Sequence, residues 1–188
     1  CKLGSNGEVN NWKPLTGWQY DAGNANGDGQ AQTVIAYDKE RQALEVQLDY
    51  SANSDVSWSE AKINTWIDGE GIDISKTNQF RFDVTYPEEF DGFGVKIFAN
   101  NWMVDPNNAL IEAEASIKEK DKVYNDDGTI TATVKVGYMK GIETPLNSIC
   151  IGFVGKYSDF VGSIYVDNAE IWAVNVGVAL PETSGEVT

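Results

Sequence analysis

The chain has 188 residues, 41% of them hydrophobic, which is enough for one domain with a full core. Its 14 basic residues against 29 acidic ones give a net charge of −15. Such a field repels phosphate groups, so nucleic acid and anionic membranes are excluded as expected partners. Histidine is absent, which excludes Ser-His-Asp and Cys-His catalysis and the usual zinc ligand sets.

Period-two alternation of apolar and polar residues predicts strands along most of the chain. In residues 43–50, Leu44, Val46 and Leu48 share one face and Glu45 lies on the other. Further strands are predicted at residues 80–86, 94–100, 130–136, 148–154 and 164–176, which makes six in all. The strand at residues 148–154 is apolar on both faces, as in a central strand.

Turn signals separate these runs, for example Asp-Gly pairs at residues 68–69 and 91–92. The sequence therefore predicts an all-β fold, a β-sandwich of two antiparallel sheets, over residues 1–178. Residues 109–122 are rich in helix formers but partly alternate, so a helix and a strand are both compatible. The polar tail, residues 179–188, predicts the start of a linker.

Two cysteines are present, Cys1 and Cys150. Cys150 lies in an apolar run, which predicts a buried core thiol. Cys1 is compatible with a lipidated anchor, with an arbitrary start of the chain, or with a disulfide to Cys150. No apolar run approaches the length of a membrane span, so membrane insertion is not expected.

Six tryptophans are the most informative residues, and five of them have polar neighbours. An indole face packs flat against the axial C–H groups of a pyranose ring and removes apolar area from water. At least two of four tryptophans are predicted to form an exposed sugar-binding platform: Trp18, Trp58, Trp66 and Trp102. Trp172, in an apolar strand, is predicted to lie in the core, which is also the alternative for each of the others.

A sugar platform also needs side chains that hydrogen-bond the hydroxyl edges of the rings. Five such residues lie close in sequence to the tryptophans and on polar strand faces: Asn100, Asn101, Glu60, Lys62 and Arg81. We predict them as ligand-binding residues.

Gly17-Trp18 and the segment Ile-Tyr-Val-Asp-Asn-Ala-Glu-Ile (residues 164–171) resemble the two ends of carbohydrate-binding modules with the β-jelly-roll, galactose-binding-like fold. The likeness is greatest to the mannan-binding modules of families 23 and 27, which are attached to bacterial β-mannanases. It implies that Trp18, Trp58 and Trp102 stack on mannose units, with Trp66 as the alternative to Trp58. It also implies a linked catalytic domain and a location outside the bacterial cell, secreted or attached to its surface.

The same resemblance implies a structural calcium ion near the two chain ends. Asp167 matches the acidic residue of the last strand, and Glu8 is its N-terminal partner by position, with Asp21 as the alternative. Asp167 is also compatible with a bulge or turn residue that accepts a backbone hydrogen bond.

Together these features predict a non-catalytic module that binds β-mannan, glucomannan or galactomannan and targets an attached glycoside hydrolase. One alternative is a small jelly-roll glycoside hydrolase or lyase, which needs two carboxylates roughly 5–9.5 Å apart. Glu112 with Glu114 and Glu45 with Asp49 share strand faces, and solvated surface acids explain both pairs better. A further alternative is a cell-surface adhesion or scaffold module.

Overall fold

A computed structural model describes residues 12–14, 32–66, 69–100, 102–103, 114–137 and 145–173, and only the backbone of residues 12–14, 32, 66, 102, 103, 114 and 115. The described residues form twelve strands and three single-turn 3-10 helices. The strands are β1 Trp12–Pro14, β2 Gln32–Asp38, β3 Ala43–Asp49, β4 Glu60–Trp66, β5 Gln79–Pro87, β6 Gly94–Ala99, β7 Trp102–Met103, β8 Glu114–Ser116, β9 Lys122–Tyr124, β10 Thr129–Gly137, β11 Ser148–Val154 and β12 Val161–Trp172. The 3-10 helices are Ser51–Asn53, Glu88–Phe90 and Glu119–Asp121. None of the described helices has the length and hydropathy of a membrane span.

The strands form two antiparallel sheets. Sheet I has the order β1-β4-β11-β6, and both β7 and β8 pair with β6. Sheet II has the order β2-β3-β12-β5-β10-β9. The predicted all-β sandwich of two antiparallel sheets is therefore confirmed, and β11 lies at the centre of sheet I, as its two apolar faces require.

The core lies between the sheets and consists of the alternating apolar residues of both. In β5, Phe80, Phe82 and Val84 are buried, while the residues between them are half-buried on the outer face. Cys150 is also buried, as predicted, but on the outer side of sheet I, where it packs with Phe98 instead of joining the main core.

A cluster of aromatic rings closes one end of the core. The Phe90 ring stacks on Phe93 with centroids 4.5 Å apart and on Phe160 at 4.3 Å. Tyr50 lies beside Phe90 at 5.5 Å, and its hydroxyl donates a 2.7 Å hydrogen bond to the carbonyl of Phe153. The loop after β11 therefore packs against this aromatic cluster.

All six predicted strands are present with small changes at their ends, although residues 174–176 of the last lie outside the described residues. The described part of residues 109–122 has no α-helix: it contains β8, a 3-10 turn and the start of β9. β8 pairs with β6 and β9 pairs with β10, so sheet pairing overrides the local helix propensity.

Candidate functional site

The outer face of sheet I carries a row of polar side chains that are buried. In β4, Ala61 and Ile63 face the core, while Glu60, Lys62 and Asn64 alternate with them on the other face and are each 1% exposed. Buried polar groups are costly unless they are paired. The sequence places Glu60 and Lys62 on a polar strand face, and the structure adds that this face is shielded from solvent.

Glu60 is held by two ammonium groups. Lys62 Nζ lies 3.0 Å from its Oε2, and Lys96 Nζ donates a hydrogen bond to its Oε1. Gly152 of β11 pairs with both lysines, so no intervening side chain separates their stems. Lys62 Nζ also lies 5.9 Å from the centroid of the Phe98 ring. We call Glu60, Lys62 and Lys96 the Glu60 cluster; its two ammonium groups and one carboxylate carry one net positive charge.

Trp58 lies two residues before this row and is 39% exposed. In the described part of the chain its indole N–H has no hydrogen-bond partner, and its ring has no aromatic or cationic neighbour. Ser59, directly after it, is buried, which anchors the tryptophan just before the start of β4. Trp58 therefore offers both an apolar face and an N–H donor to a ligand.

The other predicted platform tryptophans are described less fully. Trp66 ends β4 and pairs with Ser148, so its register position belongs to the same alternating series as Glu60. Trp102 in β7 pairs with Ala99, a core-facing residue of β6. Trp18 lies outside the described residues. The common platform of Trp18, Trp58 and Trp102 stays a prediction.

Asn100 supports the turn between β6 and β7. Its backbone is left-handed, with φ of 50°, and its side-chain amide donates to the Pro145 carbonyl at 2.9 Å. Its side-chain oxygen accepts the N–H groups of Asn147 at 2.6 Å and Ser148 at 3.2 Å. Both the NH2 group and the oxygen of the Asn100 side chain are therefore hydrogen-bonded within the protein. Asn101, its predicted companion, lies outside the described residues.

Arg81 and Trp172 lie on the outer face of sheet II, away from the Glu60 cluster. The Arg81 guanidinium carbon is 4.1 Å from the Trp172 ring centroid, and the Trp172 indole N–H donates to Glu170 at 2.9 Å. Trp172 is 42% exposed, so the prediction that it lies in the core is wrong. Ile171 takes the core position, and strand alternation turns the next residue outward. Arg81 therefore belongs to a different surface from Glu60 and Lys62.

Asp167 lies opposite Asp83 of β5, next to a β-bulge in β12. Its side chain accepts the N–H of Asn168 at 2.7 Å, and the Asn168 amide donates to Asp83 at 2.9 Å. This is the bulge arrangement that the sequence left open as an alternative. The described residues contain no group of three or more metal-binding side chains, and Glu8 and Asp21 lie outside them, so the calcium site stays a prediction.

The predicted calcium can be tested by chelation. If Asp167 is a ligand, EDTA should lower the melting temperature by several degrees, because an ion that binds only the folded state stabilises it. Asp167→Ala should abolish this response, whereas Asp159→Ala, which changes an exposed acid elsewhere, should preserve it. Unchanged melting together with no calcium in elemental analysis would contradict the prediction.

Asp49, one of the acidic residues considered for catalysis, does not resemble a general acid. Hydrogen bonds from the hydroxyl and the N–H of Ser51 hold the pKa of Asp49 below its ordinary value, whereas a general acid requires a raised one. Glu45 accepts a hydrogen bond from Ser163 at 2.7 Å. For the other pair, Glu112 lies outside the described residues and only the backbone of Glu114 is described.

No protein-family model and no curated protein matches the chain, but solved structures share its fold. CBM27-1 from Caldicellulosiruptor saccharolyticus, in complex with mannohexaose, is 21% identical with a TM-score of 0.56, over 87% of this chain and 91% of its own. TmCBM27, a carbohydrate-binding module with specific mannan recognition, is 17% identical with a TM-score of 0.58, over 91% and 93%. CBM28, a module specific for non-crystalline cellulose, is 15% identical with a TM-score of 0.57, over 92% and 94%. The likeness confirms the predicted β-sandwich fold, which this chain shares with these modules.

Proposed function

We propose that this chain is a non-catalytic module that binds a β-mannan-type polysaccharide, such as glucomannan or galactomannan, outside the cell. The observation that carries the proposal is Trp58: an exposed indole beside a polar sheet face, whose N–H has no hydrogen-bond partner among the described residues. Two proteins of the same fold bind mannohexaose or mannan, which supports mannan as the first ligand to test.

The proposed contacts divide between stacking and hydrogen bonding. A sugar ring stacks on Trp58, and the stacking removes apolar area of both partners from water. Lys96 is the accessible member of the Glu60 cluster, because its side chain is partly exposed while those of Glu60 and Lys62 are buried. An ammonium group has three donors, so the bond from Lys96 to Glu60 leaves donors for sugar hydroxyls.

A neutral ligand makes the binding depend little on salt. A few stacked rings supply roughly −6 to −8 kcal/mol, which corresponds to micromolar affinity. We further propose that the module brings an attached glycoside hydrolase, expected to be a β-mannanase, to its substrate.

Affinity electrophoresis tests this function directly. The gels contain glucomannan, galactomannan, xylan, mixed-linkage β-glucan or non-crystalline cellulose, each at low and high salt. We expect retardation by the two mannans at both salt concentrations. Retardation by the β-glucans alone would replace mannan by glucan as the ligand, and none on any polymer would refute polysaccharide binding. Release of reducing sugars from any of them would overturn the non-catalytic assignment.

A further inference from the structure

Tyr157 is a second exposed aromatic residue beside Trp58. It lies in the loop after β11 and is 66% exposed, and its hydroxyl has no hydrogen-bond partner in the described part of the chain. Two backbone hydrogen bonds join its loop to that of Trp58: the Tyr157 N–H donates to Val56 at 3.1 Å, and the Gly155 N–H donates to Ser59 at 2.7 Å. The two aromatic residues are thus carried by loops that are tied together.

The backbone at Tyr157 is held in an unfavourable conformation. Lys156 and Tyr157 are consecutive non-glycine residues with positive φ, 47° and 65°. A bulky residue is rare in this region, where glycine costs least and asparagine is better tolerated. Such strain persists only where the surroundings enforce it, and it concentrates at functional sites.

Packing against the core enforces this backbone conformation. A Cβ added to Gly155 would lie 2.7 Å from the Tyr50 ring, so the loop passes closely over this side chain. Tyr50 is fixed in turn by its bond to the Phe153 carbonyl and by its N–H donating to Phe160 at 2.9 Å. Packing against Tyr50 therefore restricts the backbone of the loop, while the Tyr157 side chain itself buries little surface.

The two other exposed aromatic side chains among the described residues have partners within the protein. The hydroxyl of Tyr124 donates to Glu119 at 2.8 Å, and the Trp172 ring is covered by Arg81. Trp58 and Tyr157 differ from them in having neither kind of partner among the described residues, and both lie at the same end of sheet I.

We propose that Trp58 and Tyr157 form one aromatic rim that stacks on two pyranose rings of a single polysaccharide chain. The inference rests on the proposed function and adds Tyr157 as a sugar-binding residue. It explains why a strained position keeps a large ring that buries little area in the protein.

The test uses Tyr157→Gly, which removes the ring and also relieves the positive φ. By isothermal titration with mannohexaose and glucomannan, we expect affinity to fall about 5- to 10-fold, as the loss of one stacked ring implies. The melting temperature should stay equal or rise. Tyr157→Phe should bind within about 2-fold of the parent, because the proposed contact is the ring face and not the hydroxyl.

Tyr124→Ala is the matched control, because it removes an exposed tyrosine on sheet II and should leave affinity unchanged. Unchanged binding by Tyr157→Gly would overturn the rim while the proposed function stands. A loss of affinity that follows a fall in melting temperature would also overturn it, by giving Tyr157 a structural role. If the parent protein binds neither probe and no polymer in the gels, the proposed function itself fails.

Discussion

Replacing Glu60 by glutamine should lower the free energy of unfolding by about 3–5 kcal/mol, because it leaves buried positive charge without its carboxylate. The Lys62 side chain is fully buried, so water cannot replace Glu60 as its partner, whereas the partly exposed Lys96 is reached by water. Urea denaturation followed by circular dichroism measures the change.

Two further variants isolate the charge effect. Glu60→Gln combined with Lys62→Met removes one carboxylate and one ammonium group together and should recover much of the lost stability. Lys135→Met breaks a 2.8 Å pair with Asp121 in which the lysine is exposed, and should cost about 1 kcal/mol or less. A loss for Glu60→Gln no larger than for Lys135→Met would show that the Glu60 cluster is solvated.

Replacing Trp58 by alanine should weaken binding of mannohexaose and glucomannan by about 5- to 30-fold, since one stacked sugar ring shields apolar area worth roughly 1–2 kcal/mol. The melting temperature should change little, because the ring is exposed and has no aromatic or cationic partner in the described chain. Isothermal titration calorimetry and thermal melting give the two readouts.

Trp172→Ala is the matched control for Trp58→Ala. It removes an equally exposed tryptophan, but from the outer face of sheet II, where Arg81 already covers the ring. Its affinity should equal that of the parent. A reversed result, with binding lost in Trp172→Ala and kept in Trp58→Ala, would move the sugar site to sheet II.

Two strands show that apolar–polar alternation does not predict every strand. β2 and β4 are not predicted from the sequence, because neither is a simple alternation of strongly apolar and polar residues. β4 reads Glu-Ala-Lys-Ile-Asn-Thr-Trp, with charged residues that suggest a solvated surface. In the structure Glu60 and Lys62 neutralise each other, so a charged pattern is compatible with a buried row.

The candidate site shows a similar limit. Closeness to tryptophans in sequence predicts Glu60 and Lys62 as site residues, and the two do lie together. The same criterion predicts Arg81, which lies on the other sheet. Tyr157 was missed because its local sequence, Gly-Lys-Tyr-Ser, is that of an ordinary loop; its exposure and positive φ appear only in three dimensions.

The residue pattern is sufficient to predict the all-β class, six of the strands, the central place of β11 and the absence of histidine chemistry. Period-two alternation is a local property, so it is visible along the chain. Four other features are visible only in three dimensions: which sheet each strand joins, the burial of Glu60 beside two lysines, the outward direction of Trp172, and the contact between the Trp58 and Tyr157 loops. These features depend on pairing between residues far apart in the chain, which alternation within one strand does not encode.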